Sequence, residues 1–96
     1  MNRAERDRET NRRSARAASR AKTRLVAAHK PEYDTLRRAA YYALAIERPH
    51  LTPQRLRNAA DSRARTALKD AHDEEYRRYR AEEAQRERQP AATQAA

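Results

Sequence analysis

Not one of the 96 residues is glycine. That absence constrains the chain more than any motif in it. Tight β-hairpin turns need positive φ angles, which glycine adopts at little cost. Val and Ile together supply only two residues, so strands would lack the β-branched side chains they favour. Against this stand 22 Ala and 20 Arg, both strong helix formers. The chain is expected to be all-α, built of antiparallel helical hairpins with no sheet.

Prolines and polarity set the expected boundaries within one small domain, residues 11–88. The first ten residues are nearly all polar and are expected to fray. A first helix covers about 11–29, with Ala18, Ala21, Leu25 and Ala28 on one face. Pro31 then disfavours helical geometry at Lys30 and opens a second helix over 31–47. The segment "ERPHLTP", Glu47 to Pro53, is a loop ending in an N-cap threonine, Thr52. A third helix starts at Pro53, with Leu56, Ala60, Ala64, Ala67, Leu68 and Ala71 as its apolar stripe. Residues 89–96 are expected to be a disordered tail.

A repeat complicates the third helix. "RAKTRLVAAHKPEY", Arg20 to Tyr33, returns as "RARTALKDAHDEEY", Arg63 to Tyr76, at an offset of 43. Over residues 17–38 and 60–81, eleven of 22 positions are identical. If the first copy bends at Pro31, the second can bend at Asp73, where Asp, Glu and Glu suit a helix N-terminus. The fold would then have four helices, paired as two hairpins. Nothing in "KDAHDEEYRR" forces a break, however, so an unbroken or merely bent third helix over 53–88 is the preferred expectation.

The core material is thin. Beyond Ala and Met1 there are 13 large apolar or half-apolar side chains: six Leu, one Val, one Ile and five Tyr. Burying one is worth roughly 1.5–3 kcal/mol, whereas ordering each residue's backbone costs about 1–2 kcal/mol. Self-association or folding on a partner is therefore expected to help. The stretch "AAYYALAI", Ala39 to Ile46, is apolar all round, and such a helix is either surrounded or lies at an interface, for instance of a homodimer. Tyr41 and Tyr42 are about 100° apart on that helix, which makes them candidate protein-interface anchors, although the preferred reading is that all five tyrosines replace the missing Phe and Trp in the core.

The net charge of +9 is unevenly placed. From Thr10 to Pro31 there is no acid, against Arg12, Arg13, Arg16, Arg20, Lys22, Arg24 and Lys30. Such a block seeks phosphates or an acidic protein surface. The expected function is nucleic-acid binding, duplex DNA favoured, with Arg12, Arg13, Arg16, Arg20, Lys22 and Arg24 on the backbone. The alternative is a protein-interaction module that meets an acidic surface through the same helix.

"NRRSARAASRAKTRL", Asn11 to Leu25, resembles the DNA-reading basic region of basic leucine-zipper proteins. Asn11, Arg12, Ser14, Ala15 and Arg16 fit that pattern, while Ser19-Arg20 arrives one residue late and heptad leucines do not follow. The resemblance implies a helix lying in a major groove. In overall style the chain is similar to small Arg/Ala-rich helical proteins of actinobacterial tailed phages, with 20 Arg to 3 Lys and a recurring "AHxxEY". That implies a phage-encoded accessory protein, a host-protein inhibitor or a virion component.

Other chemistries find little support. There is no cysteine for a disulfide or thiolate, which fits a reducing cytoplasm, that of the host cell if the gene is a phage's. No run of about 18 apolar residues suggests a membrane span, and no signal peptide is expected. Without glycine no phosphate-binding glycine loop can form, and no serine sits in a nucleophile elbow. The chain is not expected to be an enzyme. The repeated His-x-x-Glu, His29/Glu32 and His72/Glu75, has a spacing at which two side chains can meet one ion. Di-iron bundles use the reverse order, Glu-x-x-His, and Pro31 interrupts the first pair. End-capping is the preferred role, with no metal or cofactor expected.

Overall fold

The computed structural model describes residues 2–89, which form four helices and no strand. They are α1 (Arg3–Ala28), α2 (Lys30–Glu47), α3 (Pro53–Ala71) and α4 (Asp73–Arg88). The tail expected to be disordered lies outside the described residues beyond Gln89. None of the helices is long and apolar enough to cross a membrane.

Two expected boundaries are corrected. Residues 3–10, expected to fray, are helical, because α1 begins at Arg3. Asn2 caps it, its Oδ1 accepting from the Glu5 N–H at 2.9 Å, and Glu5 sits in the first turn where the helix dipole favours an acid. One turn on, Glu9 bridges Arg12 and Arg13. The third helix does not run unbroken to 88 either. His72 interrupts it with φ −123° and ψ 48°, nearly the values of His29, −127° and 43°. At both bends the histidine closes one helix and opens the next: His29 N–H reaches Leu25 O and Tyr33 N–H reaches His29 O, and the same holds for His72, Leu68 and Tyr76. No proline is needed at the second bend, because contacts between the two histidines hold it.

Each repeat is therefore a bent rod and not a closed hairpin. α1 lies along α4, and α2 lies along α3, while α1 and α2 touch little beyond their bend, as do α3 and α4. The true hairpin is α2–α3, joined through Arg48 to Thr52. The two rods cross at their bends, where reciprocal His29–Glu75 and His72–Glu32 bonds and core residues 43 positions apart relate them by an approximate two-fold.

Burial follows the repeat. The central core cluster is Ala21, Leu25 and Tyr33 with their equivalents Ala64, Leu68 and Tyr76. Ala17 and Ala60 are also buried equivalents. The α1 stripe is thus Ala17, Ala21 and Leu25; Ala28, expected on it, is exposed. The two ends of the molecule differ. The α2/α3 end closes on Ala40, Leu44, Leu56 and Ala60. At the α1/α4 end those positions are Glu83, Glu87, Arg13 and Ala17. One end is sealed by leucines and the other by ion pairs.

Candidate phosphate-binding surface and the central histidine pair

Three of the α1 arginines expected to meet DNA, Arg16, Arg20 and Arg24, pair with acids of α4. Arg16 and Arg20 both donate to Glu87, at 3.0 and 2.6 Å. Arg24 reaches Glu82 at 2.7 Å and Glu83 at 3.2 Å. Glu83 is almost fully buried and also accepts from Arg86. Arg12 and Arg13 pair with Glu9 on their own helix. Of the six residues only Lys22 makes no ion pair among the described residues. Sequence reasoning missed this because the acids that meet α1 lie about sixty residues downstream.

These pairs perturb their acids. The hydrogen bond from Arg16 holds the Glu87 carboxyl below its ordinary 4.5, against partial burial and helped by the charges of Arg16 and Arg20. A carboxyl lowered in the folded state contributes stability above its ordinary value, and that contribution is lost as pH falls through the folded value. Acidification below pH 4.5 is therefore expected to loosen the α1/α4 end before the leucine-sealed α2/α3 end. Hydrogen exchange at pH 3.5 and 7 checks it: α4 amides lose protection first, and uniform loss along the chain counts against it.

Excess positive charge gathers elsewhere, in a groove of about 510 Å³ between α2 and α3 whose one acid is Asp34. Arg37, Arg38 and Arg57 line it, with Tyr41, Tyr42 and Lys30. Lys30 is bound to Asp34 at 2.6 Å, and this contact holds the Asp34 carboxyl below the ordinary range. Arg37, Arg38 and Arg57 have no ion pair among the described residues; Arg37 lies 5.9 Å from the Tyr33 ring and Arg57 donates to Gln54. The two-fold equivalent groove, at α1/α4, has Ser14 in place of Arg57 and Arg80 in place of Arg37. There Arg80 donates to the Ser14 hydroxyl at 3.2 Å. One lobe ties Arg80 to a serine across a groove of about 350 Å³, whereas the other sets two like charges, Arg37 and Arg57, around its groove.

The tyrosines divide as their 100° separation requires. Tyr41 packs on the α2/α3 core, while Tyr42 is 64 % exposed at the rim of the groove. Their rings meet edge to face at 6.0 Å. One turn further, Ile46 is 83 % exposed. The apolar stretch expected to be surrounded or to form an interface thus has one face in the core and one in solvent.

At the crossing of the two rods the repeated histidines meet. His29 and His72 stack at 3.8 Å with their planes 15° apart. Each bonds to the other copy's glutamate: His29 Nε2 to Glu75 at 2.7 Å and His72 Nε2 to Glu32 at 2.7 Å. The Tyr79 hydroxyl donates to the other Glu75 oxygen at 2.7 Å. Bonds from Tyr79 and His29 hold the Glu75 carboxyl below its ordinary value, the His29 bond contributing most. The end-capping expected of His-x-x-Glu within one helix is replaced by this reciprocal bracing between helices.

Comparison with known proteins adds no relative: no family model, no characterised protein and no solved structure matches the chain.

Proposed function

We propose that this protein binds nucleic acid through its phosphates, with the α2/α3 groove as the main contact. The observation that carries the reading is the gathering of Arg37, Arg38 and Arg57, none of them in an ion pair among the described residues and with Asp34 the one acid lining the groove, around the exposed Tyr42. Like charges held together are costly unless an anion answers them, and the chain's +9 charge supplies the long-range attraction. Arginines fork onto phosphate oxygens, and an exposed tyrosine beside them offers a face on which a base can stack. Lys22 and the exposed parts of the α1 arginines add to the field, since surface ion pairs are weak enough to exchange a carboxylate for a phosphate.

A salt-titrated anisotropy assay with duplex and single-stranded oligonucleotides tests this. Affinity is expected to fall steeply with salt, the logarithmic slope on duplex being about −0.9 per phosphate neutralised. The triple variant Arg37→Glu/Arg38→Glu/Arg57→Glu is expected to lose at least tenfold in affinity at low salt and to flatten the slope by about 2–3. Tyr42→Ala is expected to weaken single-strand binding more than duplex binding. Absence of binding at low salt, or an unaltered slope in the triple variant, would overturn the reading.

A second reading rests on Ile46, which together with Tyr42 presents an exposed apolar patch on α2. Such a patch beside arginines also suits an acidic protein partner. Recovery of one stoichiometric protein after nuclease treatment, lost on Ile46→Glu, would favour it.

A further inference from the structure

The histidine pair carries an inference independent of the nucleic-acid reading. We propose that His29, Glu32 and His72 bind one divalent first-row transition ion of the zinc type. One nitrogen from each imidazole and one Glu32 oxygen lie within 4.8 Å of one another. Glu32 Oε2 is 2.7 Å from His72 Nε2 and 4.0 Å from His29 Nδ1. Ligands around tetrahedral zinc stand about 2.0–2.2 Å from the ion and so about 3.4 Å from each other. The two separations straddle that value. The Glu32 side chain, 44 % exposed, can swing to equalise them.

The donor set selects the ion class. Two imidazoles and a carboxylate suit zinc, nickel or copper, whereas calcium and magnesium take oxygen ligands. Three protein ligands leave a fourth position for water, as in open zinc sites.

Imidazole lone pairs lie in the ring planes, so ligation must turn the two rings, now stacked with planes 15° apart, toward one point; the hydrogen bonds around them suit that arrangement. The far nitrogen of His29, Nε2, bonds Glu75, and the near one, Nδ1, faces Glu32. A carboxylate on the far nitrogen holds the proton there and leaves the near lone pair for a metal. Glu75 is itself pinned by the Tyr79 hydroxyl. The repeat shows why Glu75 holds and Glu32 ligates. The position equivalent to Tyr79 is Leu36, which has no hydroxyl to pin Glu32. Glu75 and Tyr79 are thus positioning residues. In the metal-free state a proton links His72 Nε2 and Glu32. The ion takes its place, and that proton moves to Nδ1 of a neutral His72 or leaves a protonated one.

Isothermal titration of the full chain with zinc chloride, paired with long-range proton–nitrogen spectra of the histidine rings, tests the site. One ion per chain is expected, with coordination shifts at His29 Nδ1 and His72 Nε2. Glu32→Gln and His72→Gln are each expected to weaken uptake at least tenfold. Glu75→Gln is expected to weaken it roughly 10–100-fold, with one ion still bound at saturation. His50→Gln, in the α2–α3 loop, leaves uptake unchanged. Circular dichroism checks each variant's helices, and Glu32→Gln, isosteric on an exposed side chain, separates lost ligation from lost fold. No saturable uptake, uptake indifferent to Glu32→Gln and His72→Gln, or shifts on His50 in place of the pair would overturn the proposal.

Discussion

Leu68→Ala is expected to remove about 2–5 kcal/mol of stability, the range for a buried leucine cut to alanine. Leu68 has no exposed surface and lies where the two rods cross, against Leu25, Tyr33 and Tyr76. A chain of this size has a total stability of order 5–15 kcal/mol, so the loss is a large share of the whole. With so few large apolar side chains nearby, little can move in to fill the space. Leu25→Ala is expected to cost about as much, because the two-fold relation gives it the same surroundings. Ile46→Ala, on an exposed side chain, should stay within about 0.5 kcal/mol of the parent. Urea denaturation followed by circular dichroism measures all three, and a Leu68→Ala loss below about 1 kcal/mol would count against a core centred on the crossing.

Glu83→Met is expected to stabilise the protein by about 1 kcal/mol or more, against the usual intuition for breaking ion pairs. Glu83 is 2 % exposed and holds Arg24 and Arg86. Taking its charge out of water costs several kcal/mol, and an apolar residue of similar volume avoids that cost. The two arginines are 38 % and 64 % exposed, so neither is stranded when the carboxylate goes. Glu83→Ala leaves a void and is expected to destabilise by about 1–2 kcal/mol. If both variants lose stability equally, the carboxylate itself holds α4, and the desolvation argument fails. The residue at the equivalent position is Ala40, in the leucine-sealed end. Glu83 therefore marks one end as different from the other, and Glu83→Met is expected to blur that distinction.

Much of the fold was legible in the sequence. The missing glycines gave the all-helical class, Pro53 and Thr52 gave the start of α3, and of its expected stripe Leu56, Ala60, Ala64 and Leu68 are buried, while Ala67 is half-buried and Ala71 exposed. The repeat held more than periodicity alone could extract. Shifting Ala60, Ala64 and Leu68 back by 43 yields Ala17, Ala21 and Leu25, the true α1 stripe. The break at His72 was visible in the same comparison, but judged by local composition it lacked a cause. Its cause is the stacked His29 and the reach of Glu32, contacts between residues about forty positions apart. The same reason hid the site geometry. An acid-free run in the sequence reads as an open basic face, yet α4 brings Glu82, Glu83 and Glu87 against it. Conversely, the arginines of the α2/α3 groove are scattered among acids in the sequence and stand out only once two helices meet.

The interlocked rods also dictate when the protein can fold during its synthesis. A nascent chain that has exposed only α1 and α2 holds two helices whose partners have not yet been made. Every large buried surface on that half is answered by the other half, so nothing in it can condense early. α3 offers the first partner, closing the short hairpin with α2, and α4 must then return along α1 across almost the whole chain. Local contacts form quickly and distant ones slowly, because closing a long loop costs entropy. The molecule is thus expected to assemble from its middle outward, its basic first helix being the last element covered.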